Sequence, residues 1–212
     1  PFLDEFIFRY FPNSADALAA YQQGEVEGFG EVHGSILEDV LAEPDLAVYT
    51  ARKPLLTMVY LNLDNPEVSF LQNPDFRRAL LTSIDRNKII ERVYSGQAVP
   101  ANGPIIPGTW AYYNDLEKVN FDPVAAQTLF ESAGVIFDEE EEIYVSDSGI
   151  PVELTLLHPS TPEHTQTAEL IQTYWEELGV EVVLEEKPYE DVLQDLELRA
   201  YETALVDINL TR

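Results

Sequence analysis

The stretch NPDFRRALLTSIDRNKIIERVYSGQAVPANGPIIPGTW, residues 73–110, decides how this chain is read. Phe76, Ala79, Leu80, Ser83 and Ile84 recur at the spacing of one helix face. Asp85 ends that run and offers an oxygen to cap a second helix. In this second helix Ile89, Ile90, Val93 and Tyr94 form the inner stripe, and Gly96 marks the stop. The segment after Gly96 holds Pro100, Gly103, Pro104, Pro107 and Gly108 and has no helix or strand pattern of its own. A loop of that length is uncommon unless it is functional or disordered, and its proline density argues for an ordered arm.

The same reading extends in both directions. Upstream, Phe6, Phe8 and Tyr10 alternate with Ile7 and Arg9 as in a strand. Ser14 is placed to cap a helix that Gly24 stops. VEGFGEV (26–32) reads as a strand, and SILEDVLAE (35–43) as a helix capped by Ser35. LAVYTA (46–51) and LLTMVYLNLD (55–64) read as two β-rich runs. Downstream, Asp122-Pro123 and Thr161-Pro162 are cap-plus-proline helix starts. Gly134 and Gly179 end those helices. VELTLL, VEVVLEE and TALVDI are strands, and YEDVLQDLEL is a helix. Trp175 falls on an apolar stripe and is expected in the core. The alternation is that of an α/β protein.

Composition narrows the function classes. Among 212 residues, 39 are acidic and 12 basic, a net charge of −27 that repels nucleic acid and anionic membranes. With 45% hydrophobic residues the chain can build a core. It has no cysteine, hence no disulfide, thiolate metal site or cysteine nucleophile. Its three histidines, His33, His158 and His164, are scattered and form no H-E-x-x-H. Neither G-x-S-x-G nor a phosphate-binding G-x-x-x-x-G-K-[ST] occurs. Gly28, Gly30 and Gly34 miss the dinucleotide spacing because His33 takes the third glycine's place. The run Asp138–Glu142, with Asp147, offers oxygens for calcium but lacks the spacing and turn glycine of an EF-hand. No residue set nominates an enzyme, and no cofactor is expected. The chain begins inside a strand-like segment, as a piece of a longer protein would.

Residues 73–108 resemble a characteristic segment of the family 5 extracellular solute-binding proteins, the peptide- and nickel-binding components of ABC importers. Asp75, Arg77, Arg78, Ala79 and Leu80 fill its first part, and Ile84, Asp85, Arg86 and Ile89 its second. Gly96, Pro100, Ala101, Gly103, Pro104, Pro107 and Gly108 fill its third. YLNLDNP (60–66), NFDPVAAQTLFESAGV (120–135), VELTLLHPS and YWEELGVEVVLE resemble neighbouring segments, so the similarity covers nearly the whole chain.

The resemblance implies a type II periplasmic-binding-protein-like lobe, with a mixed sheet flanked by helices. Residues 1–54 would be the last part of a first lobe and 55–212 most of a second. Ligand contacts are expected from Tyr60 and Asn62 on a strand crossing between lobes, and from Gly103 and Trp110 of the arm. His158 and His164 flank the loop after VELTLL and are further candidates. Peptide binders of the family carry an aspartate shortly after the last strand to hold the peptide's amine. Here that position is Thr211, which leaves Asp207 or a residue after Arg212 for the role. The implied function is capture of a small solute, foremost an oligopeptide. The protein would be a monomer that serves a membrane permease, in a periplasmic or extracellular setting with a lipid anchor. An oligosaccharide or metal-chelate binder, and a secreted carbohydrate-active enzyme using an acidic pair, remain as alternatives.

Overall fold

The computed structural model describes residues 5–32, 34–51, 53–105, 110–113, 115–146 and 149–210. His33, Pro107, Gly108, Asp147 and Thr211, all singled out in the sequence, lie outside the described residues. The chain divides into two compact units, 1–52 and 53–212.

The first unit holds helix α1 (Ser14–Gln22), a 3-10 turn (Gly34–Ile36) and helix α2 (Leu37–Ala42). Asn13, rather than Ser14, caps α1 by accepting from the Asp16 amide. Gly24 then takes φ +72°, which suits glycine at a helix end. Leu18, Ile36 and Val40 form a small core with Phe29, Val32 and Leu46 against it. The strands expected at 6–10, 26–32 and 46–51 do not form. Their alternation is present, but a strand exists only through hydrogen bonds to a neighbour. Phe6, Phe8, Tyr10 and Tyr49 accordingly stand exposed.

The second unit carries the sheet. Its strands are β1 (Leu55–Leu61), β4 (Glu153–Pro159), β5 (Glu181–Lys187) and β6 (Thr203–Asn209), in the order β1-β6-β4-β5. β1 runs antiparallel to β6, while β6, β4 and β5 are mutually parallel. A separate hairpin joins β2 (Ile136–Asp138) and β3 (Ile143–Val145). Sequence patterning does not show this hairpin, because each arm is only three residues long. The acidic run forms its turn, where Asp138 Oδ1 accepts from the Glu140 and Glu141 amides. Among the described residues no group of three metal-ligating side chains is assembled.

The helices form where the sequence placed them. They are α3 (Pro74–Thr82), α4 (Arg86–Tyr94), α5 (Pro123–Ser132), α6 (Pro162–Glu176) and α7 (Tyr189–Leu198), with a 3-10 segment at Pro66–Gln72. Asn73, Asp85, Asp122 and Thr161 cap four of them through side-chain oxygens. Phe76, Ala79, Leu80, Ser83 and Ile84 are all buried, as their shared face requires. The main core joins the four apolar ones to Phe130, Tyr144, Leu154, Leu156, Trp175 and Leu205. Trp175 donates its indole N–H to the Leu80 carbonyl at 3.1 Å, joining α6 to α3. The other sheet face buries Leu157, Ala204 and Val206 against Val192 of α7. Gly179 takes φ +94°, and a Cβ there would lie 2.9 Å from the Glu142 carbonyl, so the α6–β5 turn admits only glycine. Among the described residues no helix is long and apolar enough to cross a membrane.

The proline-rich arm is fastened to α3 and α4. Arg86 reaches across it and donates to the carbonyls of Ala101 and Val119. Burial lowers the guanidinium's pKa, so these carbonyls replace lost water. Arg78 pairs with Glu117, and the Asp122 amide donates to Thr82 O at 2.9 Å. Arg78 and Arg86 therefore tie down the loop that succeeds their helices.

Candidate functional site

In open α/β sheets, ligands gather outside the carboxyl ends of parallel strands. Here those ends are Pro159 of β4, Lys187 of β5 and Asn209 of β6. Helix α6 starts three residues after β4, so its first turn stands over this edge.

Four elements bring polar side chains together there. Thr57 of β1 lies directly opposite Asp207 of β6 and donates its hydroxyl to Asp207 Oδ1 at 2.6 Å. His164, in the first turn of α6, points its Nε2 at the same oxygen from 3.5 Å. That is an ion-pair separation, and Nε2 has no hydrogen-bond partner although the ring is buried. The other ring nitrogen, Nδ1, sits 2.7 Å from the capping hydroxyl of Thr161. Tyr189 of α7 donates its phenol to the Asp207 backbone carbonyl at 3.2 Å and sets its ring edge-on to His164. One helical turn further along α6, the Thr167 hydroxyl is also buried without a partner.

Burial alone would push the Asp207 carboxyl up. His164 and Thr57 outweigh it and hold the group below the usual carboxylate range. Asp207 is thus an ionised carboxylate, and its side chain is 20% exposed. Burial raises the Tyr189 phenol, and the nearby Asp207 charge adds to the effect.

Of the expected ligand-contact residues, only His164 and Asp207 meet among the described residues. His158 is fully buried on β4, with Nδ1 3.1 Å from the Pro159 carbonyl. By strand alternation it shares the α6-facing side with Leu154 and Leu156. Tyr60 stands at the far end of β1, opposite Ala204, and is 36% exposed. Asn62 is buried and fully occupied by the backbone. It donates to Arg199 O at 3.1 Å and Tyr201 O at 2.8 Å, and accepts from the Asp64 amide. This bracket holds the α7–β6 turn, where Arg199 has φ +55°. Gly103 packs near Leu116 within the arm, and Trp110 is 98% exposed.

Two open depressions lie elsewhere. One of about 400 Å³ is lined by Asn62, Asp64, Asn65, Pro66, Glu67 and Arg199. Another of about 350 Å³ lies between α1 and α2. Both are shallow, whereas ligand sites enclose most of what they bind.

Residues 1–209 match the family described as bacterial extracellular solute-binding proteins, family 5 Middle. The chain belongs to this family. The family-5 chain is 26% identical over 181 residues to the dipeptide-binding protein of Escherichia coli, covering 85% of this chain and 32% of that protein. It is 25% identical over 178 residues to heme-binding protein A of Haemophilus influenzae, covering 84% and 30%. Its fold matches the oligopeptide-binding protein AppA of Bacillus subtilis, solved with a nonapeptide. The TM-score is 0.77 at 20% identity, over 94% of this chain and 40% of that one. The chain thus spans about a third of the length of these curated relatives. The fold expected for a type II binding protein, a mixed sheet flanked by helices, is the one observed.

Thr57, Thr167 and Tyr189 were not singled out in the sequence, and Thr161 only as a helix cap. Its part in the site was legible too, since the cap position in TPEH already places it beside His164. Thr57 carries no local signal, because only the β1–β6 register sets it opposite Asp207.

Proposed function

We propose that this chain forms one wall of the solute cleft in the binding component of an ABC importer, and that the solute is a short peptide. The observation that carries this reading is Asp207, a partly exposed carboxylate kept ionised at the carboxyl ends of the parallel strands. A peptide brings a free α-ammonium group, and a charge-assisted hydrogen bond to a carboxylate in a desolvated cleft is strong and directional. The peptide binding named for the Escherichia coli relative supports the same reading. In this account the protein does no chemistry. It works as a monomer outside the cytoplasmic membrane, held by a lipid anchor, and closes on its solute to present it to a membrane permease.

A thermal-shift series on the full-length protein tests this. The panel would hold di- to hexapeptides, oligosaccharides and nickel chelates, each titrated. A ligand that binds only the folded state raises the midpoint with concentration. Peptides should do so, and their N-acetylated forms should not. A shift only with oligosaccharides or chelates would keep the capture role and discard the peptide. No shift with any class would remove support for capture altogether.

A further inference from the structure

The ring of His164 presents an unmade interaction inside a packed interface. It is buried, its Nε2 has no hydrogen-bond partner, and a carboxylate oxygen stands 3.5 Å away. A buried polar atom left unpaired costs stability, so the arrangement gains if the pair closes. We infer that His164 and Asp207 form a proton-operated latch. Protonation of the imidazole closes the 3.5 Å gap and ties the first turn of α6 to the β1–β6 strand pair.

The charge gained by the ring explains how. A neutral imidazole carries one N–H, and an imidazolium carries two. Nδ1 is engaged with the Thr161 hydroxyl at 2.7 Å. The neutral Nε2–H tautomer can already face Asp207 while Nδ1 accepts from the Thr161 hydroxyl. In the cation both nitrogens donate, and the Nε2–H···Oδ1 contact becomes charge-assisted, hence shorter and stronger. The Thr57 hydroxyl already fixes that oxygen, so the acceptor is in position before the proton arrives.

The surroundings favour Asp207 as the one group that answers. From α7, Tyr189 faces the ring through its edge and spends its phenol O–H on the Asp207 carbonyl. From β4, the buried His158 has its Nδ1 beside the Pro159 carbonyl. From β5, Glu186 accepts from the Thr165 hydroxyl, and Lys187 is held by Glu185 and Asp195. From β1 comes the uncharged Thr57. On α6 itself, Glu163 lies in the first turn and favours a cation, while the helix N-terminus opposes one. Among the described residues, only Asp207 stands at ion-pair distance from His164. β1 begins at Leu55, just after the division between the two units, so the latch acts on the strand by which the chain enters the second unit.

NMR titration of side-chain resonances tests the latch without any ligand. The ¹³Cγ shift of Asp207 in the unmodified protein should move a second time at the pH where the His164 ring titrates. In His164→Gln the second movement of Asp207 should vanish. Amide-exchange protection around Thr57 should rise on acidification through the same midpoint in the unmodified protein, and in neither His164→Gln nor Asp207→Asn. An Asp207 signal blind to His164, or protection around Thr57 that rises on acidification in either variant as well, would overturn the inference. The first readout needs no substitution, so a variant that fails to fold does not rescue the idea.

Discussion

The two units contain the same kind of sequence and reach different ends. In residues 53–212 the alternating runs at β1, β4, β5 and β6 pair into one sheet and bury Leu154, Leu156, Leu157, Ala204 and Leu205. In residues 1–52 the run Phe6-Ile7-Phe8 alternates just as well, yet forms no strand and leaves both phenylalanines exposed. The helices do not divide this way, since α1 and α2 form in the first unit as readily as α3 to α7 in the second. Helical hydrogen bonds close within one segment, whereas strand hydrogen bonds need a second segment at the right distance. Patterning shows which face a strand would bury, but not whether a partner is there.

Substitutions can test that contrast, beginning with the greatest loss. Phe76→Ala should destabilise the second unit by about 3–5 kcal/mol, the usual cost of emptying a buried aromatic position. Phe76 is fully buried between Phe70 and Phe130. Chemical denaturation followed by Trp175 fluorescence would read the change. Asn62→Ala should cost about 1–3 kcal/mol, because it strands the carbonyls of Arg199 and Tyr201 at the α7–β6 turn. Denaturant midpoints compared with Asn87→Ala would separate this bracket from an exposed asparagine.

Two further expectations concern local order. Arg86→Ala should release the arm from the Ala101 and Val119 carbonyls while the sheet remains folded. Limited proteolysis should then cut between 97 and 121 faster, with little change at the termini of α6. Arg86→Lys should only partly restore protection, because an ammonium lacks the planar fork that reaches two carbonyls. For Asp207, the folded state holds the carboxyl below its ordinary value. Its contribution to stability is therefore complete above the unfolded-state pKa, about 3.9, and is lost as pH falls through the lower folded-state value. Asp207→Asn should flatten the melting temperature against pH in that acid range.

The smallest effect should come from the first unit. Tyr10→Ser removes an aromatic ring that is 94% exposed, so stability should change by no more than about 0.5 kcal/mol. A larger loss would show that the Phe6–Tyr10 run packs on something, and would erase the contrast between the units.

Much of the second unit was legible because its signals are local. Asp85, Asp122 and Thr161 are caps that declare a helix start within four residues. Trp175 declared itself core by its stripe, and it is buried. The site was harder to read. His164 and Asp207 stand out in the sequence for separate reasons, and nothing there says that their side chains meet. Asn62 reads as a polar group on a crossing strand, but its amide is consumed by two carbonyls almost 140 residues away in the chain. Thr57 is invisible until the register of β1 on β6 is known. The hairpin β2–β3 escapes the pattern because two three-residue strands show too few alternations to count.

The most direct measurement is chemical-shift mapping of the isotope-labelled full-length protein during titration with a short peptide that has a free amine. The account predicts that perturbations concentrate at Thr57, Thr161, His164 and Asp207, at the carboxyl ends of the parallel strands. Perturbations confined to the depression around Asn62 and Arg199, or none at all with saturating peptide, would contradict it.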